Sequence, residues 1–246
     1  MKLLVCISKT PETTAKIAFK DNNTAFDSNG VQFILNPYDE WYALVRAIEL
    51  KEANGGTVTV INVGPSSNDV IIRKALAIGA DDAVRVEADP QSAIFVAKQI
   101  ATYAASQQFD IIFFGKETID YNGGEVGSMT AEFMNLPYIS FGYKLEIENG
   151  TAIVIRDIEG GSERSKTSLP LVISAAKGMA EQRIPNMRGI MEAKRKPLNV
   201  IPPIEFNDLS TVVGYTHPGA KSSVKMIDPE NMEELVRLLH EEAKVL

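Results

Sequence analysis

Short apolar runs alternate along this chain with stretches whose apolar residues recur every three or four positions. Lys2–Ser8 is a nearly continuous apolar run, the mark of a strand buried on both faces of a parallel sheet. Thr10–Gly30 is polar, with Pro11 and the pair Asn22-Asn23, and reads as a surface loop or a short ribbon. Val31–Leu35 reads as a short strand. Asn36 then stands where a helix N-cap belongs and Pro37 at the first helical position, where its missing N–H costs nothing. Asp39 and Glu40 complement the positive helix start. The helix is expected to run to about Ala53, with Leu44, Ala47, Ile48 and Lys51 in one stripe, and to end at Asn54-Gly55-Gly56. A strand at Thr57–Val63 leads through Gly64-Pro65-Ser66-Ser67 to a helix carrying Ile72, Ala75, Leu76 and Ile78, stopped by Gly79. Ala83–Val86 predicts a strand, Pro90–Ser106 a helix and Ile111–Phe114 another strand.

This alternation with short joins predicts an α/β fold, a mostly parallel doubly wound sheet covered by helices on both faces. After Phe133 the texture changes. Tyr138–Glu148 and Thr151–Ile158 predict an antiparallel hairpin across Asn149-Gly150, with a second turn at Glu159–Glu163 and a further strand at Leu169–Ala175. Gln182–Arg188 reads as a loop exposing a methionine between arginines, followed by a short helix with Ile190, Met191 and Ala193. The cluster Lys194-Arg195-Lys196 reads as solvated charge at a helix C-terminus, and the methionine loop equally as an adaptable contact surface. Ile204–Ser223 reads as a linker or arm. Asp228-Pro229 opens a last helix with Met232, Leu235, Val236, Leu239 and Ala243 on one face. One helix behind an arm cannot bury that stripe alone, so it folds back or packs on another chain. The division expected is a nucleotide-binding α/β domain over 1–203 and an arm with a helix over 204–246.

Ligands of such sheets sit beyond the carboxyl ends of the strands. The joins there are Cys6–Lys9, Val63–Ser66 and Gly115–Val126, with the Asn36 cap beside them. In Ile111–Phe133 a strand ends at Gly115, a polar loop carries Asp120, Asn122 and Gly123-Gly124, and Val126, Met129, Thr130 and Phe133 resume at helical spacing. Unpaired N–H groups at a helix start, reachable where glycine leaves no Cβ, suit a phosphate. The spacing is neither a P-loop nor GxGxxG, and the same stretch also serves as a ligand-free turn.

Composition narrows the classes. A hydrophobic content of 45% and a charged content of 23% over 246 residues are those of an ordinary globule. A net charge of −7 argues against nucleic-acid binding, which needs a basic face. Cys6, the single cysteine, excludes an internal disulfide and reads as a buried structural thiol in a reducing compartment. No apolar run approaches the ~20 residues of a membrane span, and no signal peptide is evident, so a cytoplasmic location is expected. Metal-ligand spacing and nucleophilic triads are absent from the pattern, and His217 and His240 are read as non-functional.

Four places together resemble the β subunit of electron-transferring flavoprotein, from Lys2 to about Pro202. They are the opening LVCIS; Asn36-Pro37-Tyr38-Asp39-Glu40; the GKETID–GEVGSMTAEF segment; and Val154, Arg156, Glu159-Gly160-Gly161 and Glu163 followed by Leu169-Pro170. Arg183, Ile190-Met191 and Ala193-Lys194 fit as well. The resemblance implies an adenine nucleotide alpha hydrolase-like sheet and a heterodimer with an α subunit that holds most of a redox-active FAD. It implies an electron carrier without turnover of its own. Such a carrier takes electrons from flavin-dependent dehydrogenases, often the acyl-CoA dehydrogenases of fatty acid β-oxidation, and passes them to a membrane quinone oxidoreductase. It also implies a structural AMP. Carried over, the AMP site comprises Cys6, Asn36, Pro37, Tyr38, Asp39, Val63 and the run Gly115, Lys116, Glu117, Thr118, Ile119, Asp120, Tyr121, Asn122, Gly123, Gly124, Glu125 and Val126. The partner-recognition loop comprises Gln182, Arg183, Ile184, Pro185, Asn186, Met187 and Arg188, with Met187 where a leucine commonly anchors.

Two departures bear on the ligand. Tyr121, Asn122, Gly123, Gly124 and Glu125 stand where the family's phosphate loop carries an acidic run and then Asn-Gln or Ala-Gln. Ser8 stands where members often have lysine. Val126-Gly127 is compatible with a branch that replaces AMP by a second FAD and bifurcates electrons. From other classes, an ATP-binding regulatory α/β domain accounts for the sheet and crevice but not for the hairpin or arm. A nucleotide hydrolase finds only Lys116 and Asp120, without a Mg²⁺-ligand set.

Overall fold

The chain begins in β1 (Lys2–Cys6), buried along its length after Lys2. In this computed structural model, which describes residues 1–221 and 223–246, two small antiparallel ribbons follow. They are formed by β2 (Lys9–Pro11), β3 (Phe19–Lys20), β4 (Ala25–Phe26) and β5 (Phe33–Leu35), with β2 paired to β5 and β3 to β4. Next come α1 (Asp39–Asn54), β6 (Thr57–Gly64) and α2 (Asp69–Ile78). After them lie β7 (Asp82–Glu87), α3 (Ala93–Ala105), β8 (Ile111–Gly115) and α4 (Val126–Met134). The predicted hairpin is β9 (Tyr138–Glu148) with β10 (Thr151–Ile158), and Asn149 and Gly150 between them both have positive φ, as a tight hairpin turn requires. The rest is β11 (Gly161–Ser168), β12 (Leu171–Ala175), α5 (Met187–Ala193), β13 (Leu198–Ile201) and α6 (Met232–Leu238).

Nine strands form one sheet in the order β11-β10-β9-β12-β8-β1-β6-β7-β13. From β9 to β13 the neighbours are parallel, and β10 and β11 add an antiparallel margin. The mostly parallel, doubly wound architecture is therefore as the periodicity predicts. Alternate residues of the central strands feed two cores. Leu3, Val5, Val58, Val60, Ile111 and Phe113 pack with residues of α1 and α2. Leu4, Cys6, Ile61, Val63, Ile112 and Phe114 pack with residues of α3 and α4. Burying each such side chain contributes about 1.5–3 kcal/mol, which explains why these strands are apolar at consecutive positions.

Four elements differ from the sequence reading. The second turn is only Glu159-Gly160, and Gly161–Ser168 is a strand, paired residue by residue with β10. Its sequence, GSERSKTS, has no apolar face, so the backbone ladder and the cross-strand pair of Arg156 with Glu163 (3.1 Å) hold it, and its charges discourage further pairing at this sheet edge. Leu198–Ile201, to which the sequence reading assigned no element, pairs with β7 at the opposite edge. Met187 and Arg188 lie in the first turn of α5 rather than in a loop, because Asn186 Oδ1 caps the helix by accepting from Gly189 N–H (2.8 Å). The last helix starts at Met232 under an Asn231 cap, not at Asp228-Pro229. It widens into a π-turn at Leu239–Ala243, and the expected stripe is not the buried face: Leu238 is buried while Met232 and Val236 are about half exposed.

The basic cluster is likewise divided. Lys194 and Arg195 are exposed, but the half-buried Lys196 ammonium donates to the carbonyls of Leu76 (2.9 Å) and Ala80 (2.5 Å) at the end of α2. Arg73 on α2 donates in return to the carbonyls of Ala193 (2.8 Å) and Lys196 (2.7 Å). No helix among the described residues is long and apolar enough to cross a membrane.

The contact of α5 with α2 depends on a missing side chain. A Cβ at Gly189 would lie 2.5 Å from the Ala77 carbonyl oxygen. Gly189→Ala is expected to push α5 off α2 and cost about 1–3 kcal/mol, read as a fall of several degrees in Tm. An unchanged melting curve would show that this packing is not required.

Candidate functional site

Beyond the carboxyl ends of β1, β6, β7 and β8 lies a cavity of about 760 Å³. It sits at the switch point of the sheet: β1 lies between β6 and β8, with α1 and α2 covering one face and α3 and α4 the other. The volume is within the range of about 300–1,000 Å³ common for ligand sites.

The approach of α1 shapes one wall. Gly115 ends β8, and a Cβ there would meet Glu40 Cγ at 2.7 Å and Glu40 N at 2.9 Å. The helix start can therefore lie directly on the strand end. Glu40 is buried beneath the cavity, accepting from Ser8 N–H at Oε2 (2.7 Å) and from the Ser8 hydroxyl at Oε1 (2.5 Å). Burial pushes its carboxyl up to about 8, against the pull of the Ser8 hydrogen bonds. Burial and the nearby Glu40 also raise the Cys6 thiol, which lines the cavity from β1 and is poorly disposed to react.

Asn36 does not cap α1. The helix begins at Asp39, preceded by Tyr38 at φ 63°, and no side chain caps it. The fully buried Asn36 instead clasps the loop after β8: its Nδ2 donates to the Glu117 carbonyl (3.0 Å) and its Oδ1 accepts from Ile119 N–H (3.1 Å). An amide side chain satisfies one donor and one acceptor that an irregular loop leaves without ladder partners. Pro37 and Tyr38 lie outside the cavity lining, and Tyr38 is exposed. Asp39, also outside it, is half-buried, and burial raises its carboxyl to about 6 despite Lys116.

The loop closes on itself. Thr118 N–H donates to the Gly123 carbonyl (3.0 Å), and Gly123 N–H donates to Thr118 Oγ1 (3.2 Å). Asn122, at φ 58°, makes the reversal, and Tyr121 lies over Gly123, where a Cβ would meet its ring. The amide of Gly124 donates to Glu125 Oε2 (2.8 Å), so this chain's own carboxylate sits at the start of α4. Glu117, Thr118, Tyr121, Gly123, Gly124, Glu125 and Val126 line the cavity, as do Cys6, Val63 and Gly115. Lys116, Ile119, Asp120 and Asn122 belong to the loop but not to the lining, and Lys116 pairs with Glu117 (3.2 Å).

The second wall comes from a place the sequence reading did not nominate. The segment leading into α3, from Asp89 to Ala93, joins the start of α4 in the lining, with Ser92 capping Phe95 N–H. Ser8 and Lys9 enter the lining from the expected join after β1, whereas Glu40, Asn62 and Asn68 were not placed there from sequence; Lys9 is the one basic residue of the lining among those described. The arm crosses the opening. Gln99 on α3 holds the backbone of Ile204 through both amide atoms (2.8 and 3.0 Å), and Ser92 bonds Asp208. Tyr215 stacks on Phe19 (4.8 Å), His217 tilts against the same ring (4.7 Å), and Ser210, Val212 and Tyr215 enter the lining. Among the described residues no group of three or more His, Cys, Asp or Glu is placed to hold a metal ion.

The recognition segment lies apart from the cavity. Arg183 pairs with Glu52 (2.7 Å), its carbonyl accepts from Trp41 Nε1 (3.2 Å), and Ile184 and Met187 are 83% and 75% exposed. Gln182 and Pro185 complete it, with Asn186 as the cap of α5 and Arg188 paired to Glu192 (2.7 Å).

Comparison with known proteins matches residues 24–205 to the electron transfer flavoprotein domain. The electron transfer flavoprotein subunit beta of Bacillus subtilis is 36% identical over the whole of both chains. That of Syntrophomonas wolfei is 34% identical, covering 94% of this chain and 91% of its own. The human subunit beta is 30% identical over 100% of this chain and 99% of its own.

Glu40 makes the site sensitive to pH. Its folded value lies above its unfolded one, so its contribution to stability is full below about 4.5 and is lost as pH rises through about 8. Relative to a Glu40→Gln variant, the wild type is expected to weaken across that window and level off above it. Urea midpoints of both proteins at several pH values check this; parallel profiles would refute it.

Proposed function

Because this chain belongs to the electron transfer flavoprotein family and aligns from end to end with its beta subunits, we propose that it is the nucleotide-bearing half of a heterodimeric electron carrier. Its partner is an α subunit holding most of an FAD, which when bound supplies the redox chemistry. The carrier takes electrons from flavin-dependent dehydrogenases, including acyl-CoA dehydrogenases, and delivers them to a membrane quinone oxidoreductase. It works in the cytoplasm and turns over no small substrate of its own.

The observation that carries the reading is the cavity at the switch point, which gathers Cys6, Val63, Gly115 and the Glu117–Val126 loop around a space fit for a nucleotide. AMP is the proposed occupant, with its phosphate at the start of α4. The upper-range volume favours, as a second reading, a whole FAD in the same place. Exposed Ile184, Met187 and Met191 support docking of a dehydrogenase on α5 and the loop before it, since methionine adapts to varied partners. Up to His217 the arm lies on its own chain. Beyond it Val224, Met226, Met232 and Val236 are exposed, which supports an arm over 204–246 whose terminal part packs on the α subunit.

Chromatography of the nucleotides released from the co-purified heterodimer tests the assignment: one flavin and one AMP are expected. Two flavins without AMP would install the second reading, and a colourless chain without a partner would end both. Met187→Ala is expected to slow electron transfer from the dehydrogenase at least severalfold with flavin content unchanged; loss of flavin would refute its docking role. Glu125→Gln should raise AMP affinity on the order of tenfold by removing the resident anion, measured by titration calorimetry. Unchanged affinity would place the phosphate elsewhere.

A further inference from the structure

The helix that carries the exposed methionines has almost no core of its own. α5 is seven residues long and buries a single side chain, Ala193, while Ile190 and Met191 are exposed. A helix of that length is marginal in water unless packing holds it. Polar clamps do most of the holding here. Arg73 on α2 donates to the carbonyls of Ala193 (2.8 Å) and Lys196 (2.7 Å) at and just beyond the end of α5. Lys196 donates in turn to the carbonyls of Leu76 (2.9 Å) and Ala80 (2.5 Å) around the end of α2. Each helix thus satisfies, with one cation, carbonyls that the other's C-terminus leaves without partners. All four acceptors are backbone atoms, so the lock fixes one helix against the other. At the other end of the segment, Trp41 on α1 donates to the Arg183 carbonyl (3.2 Å), and the Arg183 guanidinium holds Glu52 through both terminal nitrogens (2.7 and 3.1 Å).

Ile184 and Met187, both largely exposed, are suspended between these two clamps. A free segment of this composition would turn its apolar side chains inward, whereas the clamps keep them out in water. We propose that Arg73 and Lys196 are positioning residues for the docking surface, fixing the direction in which Met187 is presented. A dehydrogenase then meets a preformed anchor and not a short helix that has to be ordered on contact, which would cost affinity. The inference rests on the docking reading of α5 and adds the residues that set its geometry. Neither cation needs to touch the partner. Their effect passes through the backbone of α5, so it depends on the anchor being there to present.

A double-mutant cycle on the heterodimer tests this, with butyryl-CoA dehydrogenase reduced by butyryl-CoA as the electron donor. Lys196→Met and Arg73→Gln are each expected to raise the KM for the heterodimer roughly tenfold, with kcat and flavin content unchanged. Reduction of the flavin by dithionite, which needs no docking, is expected to keep its wild-type rate. Lys196→Arg, which still offers donors to both carbonyls, is expected to restore most of the affinity. Met187→Ala is expected to raise KM in the wild type but to add little in the Lys196→Met background, because the anchor is no longer presented there. Fully additive effects, or a wild-type KM in Lys196→Met and Arg73→Gln, would overturn the inference and leave the docking reading intact. Loss of flavin with KM unchanged would do the same, placing both residues in the fold alone. A wild-type KM in Met187→Ala would remove the docking reading, and the inference with it. The two variants cut the lock from opposite helices, so failure of one to fold leaves the other to decide.

Discussion

The direct contact of α1 with the end of β8, made possible by the absence of a side chain at Gly115, governs the geometry of this molecule. It brings the first turn of a helix under a cavity that otherwise lies open between strand ends. The contact has two costs. Tyr38 is held at φ 63°, a backbone conformation worth about 1–3 kcal/mol of strain for a residue with a side chain. Glu40 is driven into the interior, where a carboxyl is tolerated by holding its proton and by two hydrogen bonds from Ser8. In exchange, the turn after β1, the start of α1 and the end of β8 become a single rigid corner.

From that corner outward, asparagine side chains replace the backbone ladder. Asn36 holds the loop after β8, and Asn62 holds the Ile7 carbonyl beyond the last paired residue of β1. Strands end here, so the backbone groups of the following loops need side-chain partners, and an amide offers a donor and an acceptor together. The same logic explains Gln99, which supplies both to the arm at Ile204. Of these amides Asn62 lines the cavity, joined there by Asn68, which donates to it, and the orientation of the pair is settled before any ligand arrives.

The charge pattern around the cavity is less hospitable to a phosphate than the loop geometry alone. Among the described residues, Glu40, Asp89, Glu117 and Glu125 share the lining with one cation, Lys9, whose pKa is lowered by burial. Glu125 occupies the Gly124 amide itself. In the nucleotide reading, a phosphate gains the start of α4 only by turning that side chain away, so affinity comes chiefly from the walls and the base.

The linear pattern by itself determined the sheet and its winding, because burying both faces of parallel strands demands apolar runs whose alternation with helices is visible in one dimension. It also exposed the hairpin at Asn149-Gly150 and the glycine-bearing loop before α4, where chain reversal requires particular residues. Tertiary structure alone decided the rest. β11 is a strand only because β10 lies beside it, and Lys196 is an anchor only because the end of α2 presents bare carbonyls to it. Asn36 reads as a helix cap when its neighbours in sequence are considered, yet its partners lie some eighty residues away. The wall from α3 follows the same rule. A polar side chain's role is set by which groups the fold leaves unsatisfied beside it, and sequence order does not record that.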